Sequence, residues 1–174
     1  MSESTDSLQQ IAKEVSSCEK CKLHATRKKA VPGEGPANAK IMFVGEGPGF
    51  HENEQGRPFV GAAGKFLSDL LASINMKRED VFITNVVKCR PPQNRDPESD
   101  ELKACNDYLE RQIALINPKV IVTLGRYSME KFFPGAKISN IHGQARTIGG
   151  RLVLAMFHPA AALHPPQYRS LIEQ

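Results

Sequence analysis

Four short apolar runs rich in β-branched residues punctuate the chain: Ile41–Val44, Val81–Val87, Val120–Leu124 and Leu152–Phe157. They are too short for core helices, and each predicts a buried strand. Between them, apolar residues recur at helical spacing over Ala62–Asn75, Glu98–Asn117 and Arg126–Phe133. Strands that alternate with helices cover both faces of a sheet when the connections cross over it. The pattern therefore predicts an α/β fold, a three-layer α/β/α sandwich around a central, mainly parallel four-stranded sheet. In the second helix Leu102, Cys105, Leu109, Ile113 and Ile116 recur at steps of three and four, which turns Cys105 toward the interior.

The 174 residues suit one domain spanning 1–174, large enough for a core without disulfides. Residues 1–30 would supply an N-terminal helix and the first pair of cysteines. With 40% hydrophobic and 24% charged residues, collagen, coiled coil and global disorder are excluded. No apolar stretch approaches the roughly 18 residues of a membrane helix. The N-terminus MSESTDSLQQ lacks the basic-then-apolar pattern of a secretion signal, so a cytoplasmic protein without a membrane partner is expected. Tyr168–Gln174 resembles the start of a helix with no stop signal, which predicts a final helix cut short.

Cys18 and Cys21 form a C-x2-C pair, followed by the single cysteines Cys89 and Cys105. In a reducing compartment such spacing favours a shared metal centre over disulfides. Four thiolates suit tetrahedral zinc or an iron–sulfur cluster, and spacing alone does not separate them. Free cysteine is also a common small core residue, but the adjacent pair argues against that reading for Cys18 and Cys21. Lysine and arginine number 23 against 19 acids, a net charge of +4. Lys20, Lys22, Arg27, Lys28 and Lys29 gather around the first pair, as a phosphate-contacting patch or a solvated face.

In parallel sheets the site lies beyond the carboxyl ends of the strands. The first run is followed by GEGPGFHENEQGRPFVGAAG (Gly45–Gly64), the second contains Asn85 and ends at Lys88, Cys89 and Arg90, the third precedes Gly125 and Arg126, and the fourth precedes His158 in HPAAAL. Gly45, Gly47 and Gly49 permit a sharp turn with exposed N–H groups, but the sequence is neither a dinucleotide fingerprint nor a P-loop. Taken singly, Phe59 is an ordinary core aromatic, Asn85 a turn residue and His158 a loop residue. Together, an aromatic face, an amide that pairs with a Watson–Crick edge and a histidine suit a flipped base.

The GEGPG…GRPFVG motif, the strand ending ITNVVKCRPP, the HPAAAL motif and four cysteines in this order resemble the iron–sulfur-containing family 4 uracil-DNA glycosylases of bacteria and archaea. The resemblance spans Cys18 to about Tyr168. It implies a structural 4Fe-4S cluster on Cys18, Cys21, Cys89 and Cys105. It further implies hydrolytic excision of uracil from single- or double-stranded DNA by a monomer, leaving an abasic site with no lyase step.

Carried over residue by residue, the resemblance implies that Phe59 stacks on uracil and that Asn85 bonds its N3 and O4 edge. His158 then donates to O2, Glu52 fills the space beside C5, and Leu163 wedges into the stack. Gly45, Gly47 and Gly49 line the substrate. The hydrolytic water has two candidate carboxylates, Glu46 and Glu52, because Gly47 stands where better-known branches of the superfamily place an aspartate. A second departure is Asn53, where family members often carry aspartate. Backbone N–H groups of the GEGPG turn, the basic residues near the cysteines, Arg57, Lys65 and Arg90 are candidate phosphate contacts. His24, His51, His142 and His164 receive no role, although His142 precedes Gly143 in a loop within reach of DNA. Two other readings are a capture module that binds uracil-DNA without turnover and a zinc-ribbon nucleotide-binding protein. The first of these would need more than the short segment Ile138–Thr147 before the last strand.

Overall fold

A computed structural model describes residues 7–158. The expectations for Leu163 and for a helix near Tyr168 lie outside these residues. The strands are β1 (Ile41–Gly45), β2 (Phe82–Asn85), β3 (Val120–Leu124), β4 (Ala145–Ile148) and β5 (Arg151–Met156), and the helices are α1 (Leu8–Ser16), α2 (Phe50–Gln55), α3 (Ala62–Ser73), α4 (Ser99–Ile116), α5 (Arg126–Phe132) and α6 (Ile138–Ile141). The sheet order is β2-β1-β3-β5-β4. All neighbours pair parallel except β4, which runs antiparallel to β5.

The four expected strands are present, and the sheet has five rather than four. β4 is an edge strand whose residues are mostly exposed, so a search for apolar runs passes over it. Its signal was the Gly149–Gly150 pair, whose positive φ of 59° and 82° makes the two-residue hairpin into β5. The segment Ile138–Thr147 is thus spent on α6 and this edge.

Alternating side chains cover both faces of the sheet. Met42, Val44, Ile121 and Val153 pack with Leu109, Ile113 and Ile116 of α4, Met129 of α5 and Ile141 of α6. Phe43, Ile83, Val122 and Leu124 pack with Leu67 and Leu71 of α3. These are the three layers. Helix α4 begins where the Glu101 carboxylate accepts the Glu98 N–H at 2.9 Å and ends at Asn117, left-handed with φ 51°, just before Pro118.

A separate apolar cluster joins Ile11 and Val15 of α1 to Leu23, Val87, Cys89, Cys105 and Tyr108, and a two-pronged Arg111–Glu14 pair at 2.8 and 2.9 Å clamps α1 to α4. The N-terminal segment is thereby fixed beside the loop after β2. Strand β1 carries β2 on one side and β3 on the other, so the connections leave it in opposite directions. Such a switch point opens a crevice at the strand ends. Among the described residues, no helix is long and apolar enough to cross a membrane.

Candidate active site

The crevice holds a cavity of about 350 Å³, within the size range of small-molecule sites. Its wall includes Glu46, Gly47, Gly49, Glu52, Phe59, Asn85 and His158. Residues scattered over more than 100 positions in sequence are thus brought together by the sheet. The loop after β2 adds Pro91, Asn94, Arg95, Asp96 and Pro97, which sequence reasoning missed because a proline-rich loop carries no chemical signature.

Gly45 stands behind the wall rather than in it. A Cβ there would lie 2.5 Å from Asn85 Oδ1 and 2.6 Å from Phe59 Cζ, so a bare backbone lets both side chains seat against the end of β1. At Gly47 a Cβ would meet Val87 Cγ2 at 2.6 Å. The N–H groups of Val86 and Val87 donate to the carbonyls of Gly45 and Glu46 at 2.9 and 3.0 Å, so the apolar run continues past β2 to hold the glycine turn.

Asn85 is buried, and its Oδ1 has no hydrogen-bond partner among the described residues. A buried acceptor left unmade costs about 1–3 kcal/mol, which marks it as a site for an incoming donor. Its backbone carbonyl accepts from the ammonium of Lys88 at 2.7 Å. Lys88 also donates to Thr84 Oγ1 at 2.6 Å and Gln112 Oε1 at 2.9 Å, and both Thr84 and Gln112 are anchored on the carbonyl of Pro32. Burial lowers this lysine to about 7. The sequence signal was a lysine closing an apolar run, VVKC.

Phe59 is buried with a positive φ of 51°, a strained conformation for an aromatic residue. Arg78 holds it, donating to the carbonyls of Pro58 and Phe59 at 2.7 and 2.6 Å. Glu34 accepts from both Arg78 and Arg57. Arg57, a candidate for DNA phosphates, is paired with Glu34 while its side chain stays exposed.

The Glu52 carboxylate accepts N–H bonds from Gly49 at 3.0 Å, Val60 at 2.9 Å and Gly61 at 3.1 Å. It lashes the glycine turn to the GRPFVG loop while forming part of the cavity wall. The Gly49 N–H, expected to face phosphate, is taken by this bond. The backbone N–H groups of Tyr127 and Arg126 at the start of α5 act to lower the acid of Glu46. Burial nevertheless pushes its acid above the usual carboxylate range. Gly125, with φ 101°, lies so close that a Cβ would sit 2.9 Å from Glu46 Oε2. Gly125→Ala should therefore displace Glu46 and cost about 1–3 kcal/mol from backbone strain alone. Thermal melting combined with single-turnover rates will show whether both fall.

His158 follows β5 and stacks on Phe59, with ring centroids 5.4 Å apart and 25° between planes. Burial holds its imidazole down at about 4, so the ring is neutral at pH 7. His142, expected near DNA, is a prop for this strand end. Its Nδ1 accepts the Phe157 N–H at 3.0 Å, and its ring stacks on Phe157 at 4.5 Å.

The four cysteines also converge, lining a small cavity with Arg27, Lys88 and Tyr108; none is in a disulfide. N–H groups point at three sulfurs: Lys20 N at Cys18 Sγ (3.4 Å), Arg27 Nη1 at Cys89 Sγ (3.3 Å) and Lys88 N at Cys105 Sγ (3.3 Å). Burial pushes up the thiols of Cys21, Cys89 and Cys105, the last to about 11. Thiolates here therefore call for the positive charge of bound metal. Among the described residues no three His, Cys, Asp or Glu side chains are gathered as a single-ion site. Two buried and two half-buried sulfurs, three of them faced by N–H donors, fit a thiolate-held cluster.

Among the described residues, two of the five cations in the basic segment are paired with carboxylates. Lys22 pairs with Glu98, Lys28 with Glu54 at 2.6 Å, and Arg27 turns inward. Lys20 lies over the Tyr108 ring. Asn53 does not face the cavity. Its buried Oδ1 accepts the N–H groups of Lys28 and Lys29 at 2.8 and 3.3 Å, a task that needs only an acceptor oxygen, which aspartate would also supply.

A family model described as the uracil DNA glycosylase superfamily matches residues 32–172. The type-4 uracil-DNA glycosylase of Sulfurisphaera tokodaii is 51% identical over 97% of this chain and 81% of its own length. That of Archaeoglobus fulgidus is 49% identical over 97% of this chain and 89% of its own length. That of Thermotoga maritima is 46% identical over 88% and 81%. Since the family match runs from before β1 to beyond His158 and includes every residue described above as walling the cavity, this chain belongs to the uracil DNA glycosylase superfamily.

Proposed function

We propose that this chain excises uracil from DNA, as its type-4 relatives are named for, by hydrolysing the N-glycosidic bond of a flipped deoxyuridine and leaving an abasic site. The observation that carries this reading is the buried, unpartnered Oδ1 of Asn85 in the wall of the cavity. Uracil N3–H is the donor that oxygen lacks, and the amide N–H2 suits O4. Cytosine presents an acceptor at N3 and a donor at position 4, so an amide held in one orientation rejects it. Phe59 supplies the stacking face. The neutral His158 donates an N–H to uracil O2 as negative charge grows there, which needs no reorganisation in a preformed site.

Of the two carboxylates, Glu46 suits the water and the developing sugar cation, because the Glu52 oxygens already take three backbone N–H groups. Glu52 keeps the cavity wall in place beside the base. DNA gripped through its backbone would deliver any sequence to this pocket.

Cys18, Cys21, Cys89 and Cys105 would hold a 4Fe-4S cluster, whose contribution is to pin α1 and the loop after β2 against α4. Cluster-loaded protein should be brown, with equal iron and acid-labile sulfide. Cys105→Ser should lose the colour and lower the melting temperature, as measured by absorbance and calorimetry. The function itself is tested with a labelled oligonucleotide containing one uracil, cut by alkali after incubation. Strand scission with uracil, and none with cytosine or thymine, is expected. No scission on either single- or double-stranded substrate would refute it.

A further inference from the structure

One aromatic side chain next to the cavity is unused by this chemistry. Phe50 directly follows Gly49, a residue of the cavity wall, and is 52% exposed, one of few large apolar side chains so placed among the described residues. Its surroundings are ordered. The Arg90 guanidinium lies over the ring, 5.5 Å from the centroid, and His51 meets it edge-on at 5.3 Å. Arg90 is in turn fixed by donating from Nε to Asn94 Oδ1 at 2.8 Å, and Asn94 also walls the cavity. An aromatic ring bearing a guanidinium is thus built into the rim, joined to the pocket on two sides.

We propose that Phe50 is a stacking platform for the nucleobase adjacent to the excised uracil in the same strand, with Arg90 holding the ring and attracting the neighbouring phosphate. The assignment rests on the cavity being the uracil site. A uracil seated there stays covalently linked to its neighbours, so the strand must leave over the rim. Water exposure is unfavourable for a phenyl face, whereas every nucleobase offers a π-face of matching size. A basic side chain interleaved with the aromatic one is the combination that serves single strands without reading sequence. Phe50 therefore favours no particular neighbouring base.

The test uses the cluster-loaded full chain and single-stranded oligonucleotides with one uracil. The nucleotide on its 5′ or 3′ side is either intact or a tetrahydrofuran residue, which keeps the backbone but lacks a base. For the wild type, removing the base on one of the two sides should raise the half-saturating DNA concentration in single-turnover excision about 5- to 100-fold. Phe50→Ala should raise it similarly on intact strands and add little on the strand already lacking that base, while Phe50→Trp restores the wild-type value. Should Phe50→Ala fail to fold, Phe50→Leu, apolar but without a π-face, takes its place in the same cycle. Equal half-saturation with and without neighbouring bases, or a Phe50→Ala loss of the same size on both substrates, would overturn the stacking role while leaving uracil excision intact. Absence of uracil release from every strand would overturn both.

Discussion

Replacing His158 by alanine should slow single-turnover uracil release about 10²–10³-fold, the loss typical when a preorganised donor to a developing anion is removed. The loss belongs to the chemical step, because the O2 charge is small in the bound substrate and large as the bond breaks. DNA affinity, measured with an uncleavable uracil analogue, should therefore change far less than the rate. The pH dependence separates this role from that of Glu46. With its imidazole held at about 4, His158 stays neutral across the working range, so its titration does not shape the profile near neutrality. Burial raises the Glu46 acid, so the rate should fall on acidification at a higher pH than an ordinary carboxylate gives. Glu46→Gln should lower the rate and flatten that acid limb. The stability sign is also fixed. The folded His158 binds a proton less readily than the unfolded chain, whose histidine titrates near 6.5, so its contribution is present above 6.5 and is lost as pH falls toward 4. A rate for His158→Ala equal to the parent's would remove the residue from the mechanism.

Asn85→Ala should lower kcat/KM for uracil about 10²-fold or more, because a buried site built to bond a polar edge is left without its partner. Its effect on folding should be small by comparison. The side-chain oxygen makes no hydrogen bond among the described residues, so only packing around the lost amide changes. A melting temperature within about 3 °C of the parent, beside the large kinetic loss, is the expected signature. Equal losses in stability and activity would instead make Asn85 part of the scaffold. Lys88 offers a contrast. Its ammonium anchors the Asn85 carbonyl and also Thr84 and Gln112, so removing it disturbs folding and positioning together.

Much of the site was legible because chemistry and topology left local marks. Asn85 and His158 lie at strand ends that a parallel sheet gathers, Phe59 lies in the motif that follows β1, and Cys18 and Cys21 stand out as a C-x2-C pair. Arg78 left no mark, since it follows an ordinary polar turn and acts on Phe59 only through carbonyls 19 and 20 residues away. The charge reading stayed open between two alternatives for a related reason. Composition counts a lysine whether or not a carboxylate waits across the fold. Glu98 and Glu54 neutralise Lys22 and Lys28 from segments that sequence order keeps far away. Exposed pairs of this kind add little stability but reduce what remains for phosphate.

Periodicity determined the layers, since strand and helix repeats of two and 3.6 residues dictate which side chains are buried before any long-range contact forms. The four expected strands, three of them buried and β5 only in part, the inward stripe of α4 and the order of the motifs therefore follow from the sequence alone. The polar edge strand β4, the internal clamps on Phe59 and Asn85, and the three backbone N–H groups that occupy Glu52 were decided by the tertiary structure. Each depends on where a hydrogen-bonding group finds its partner, and those partners meet only once the sheet has closed the distance between them.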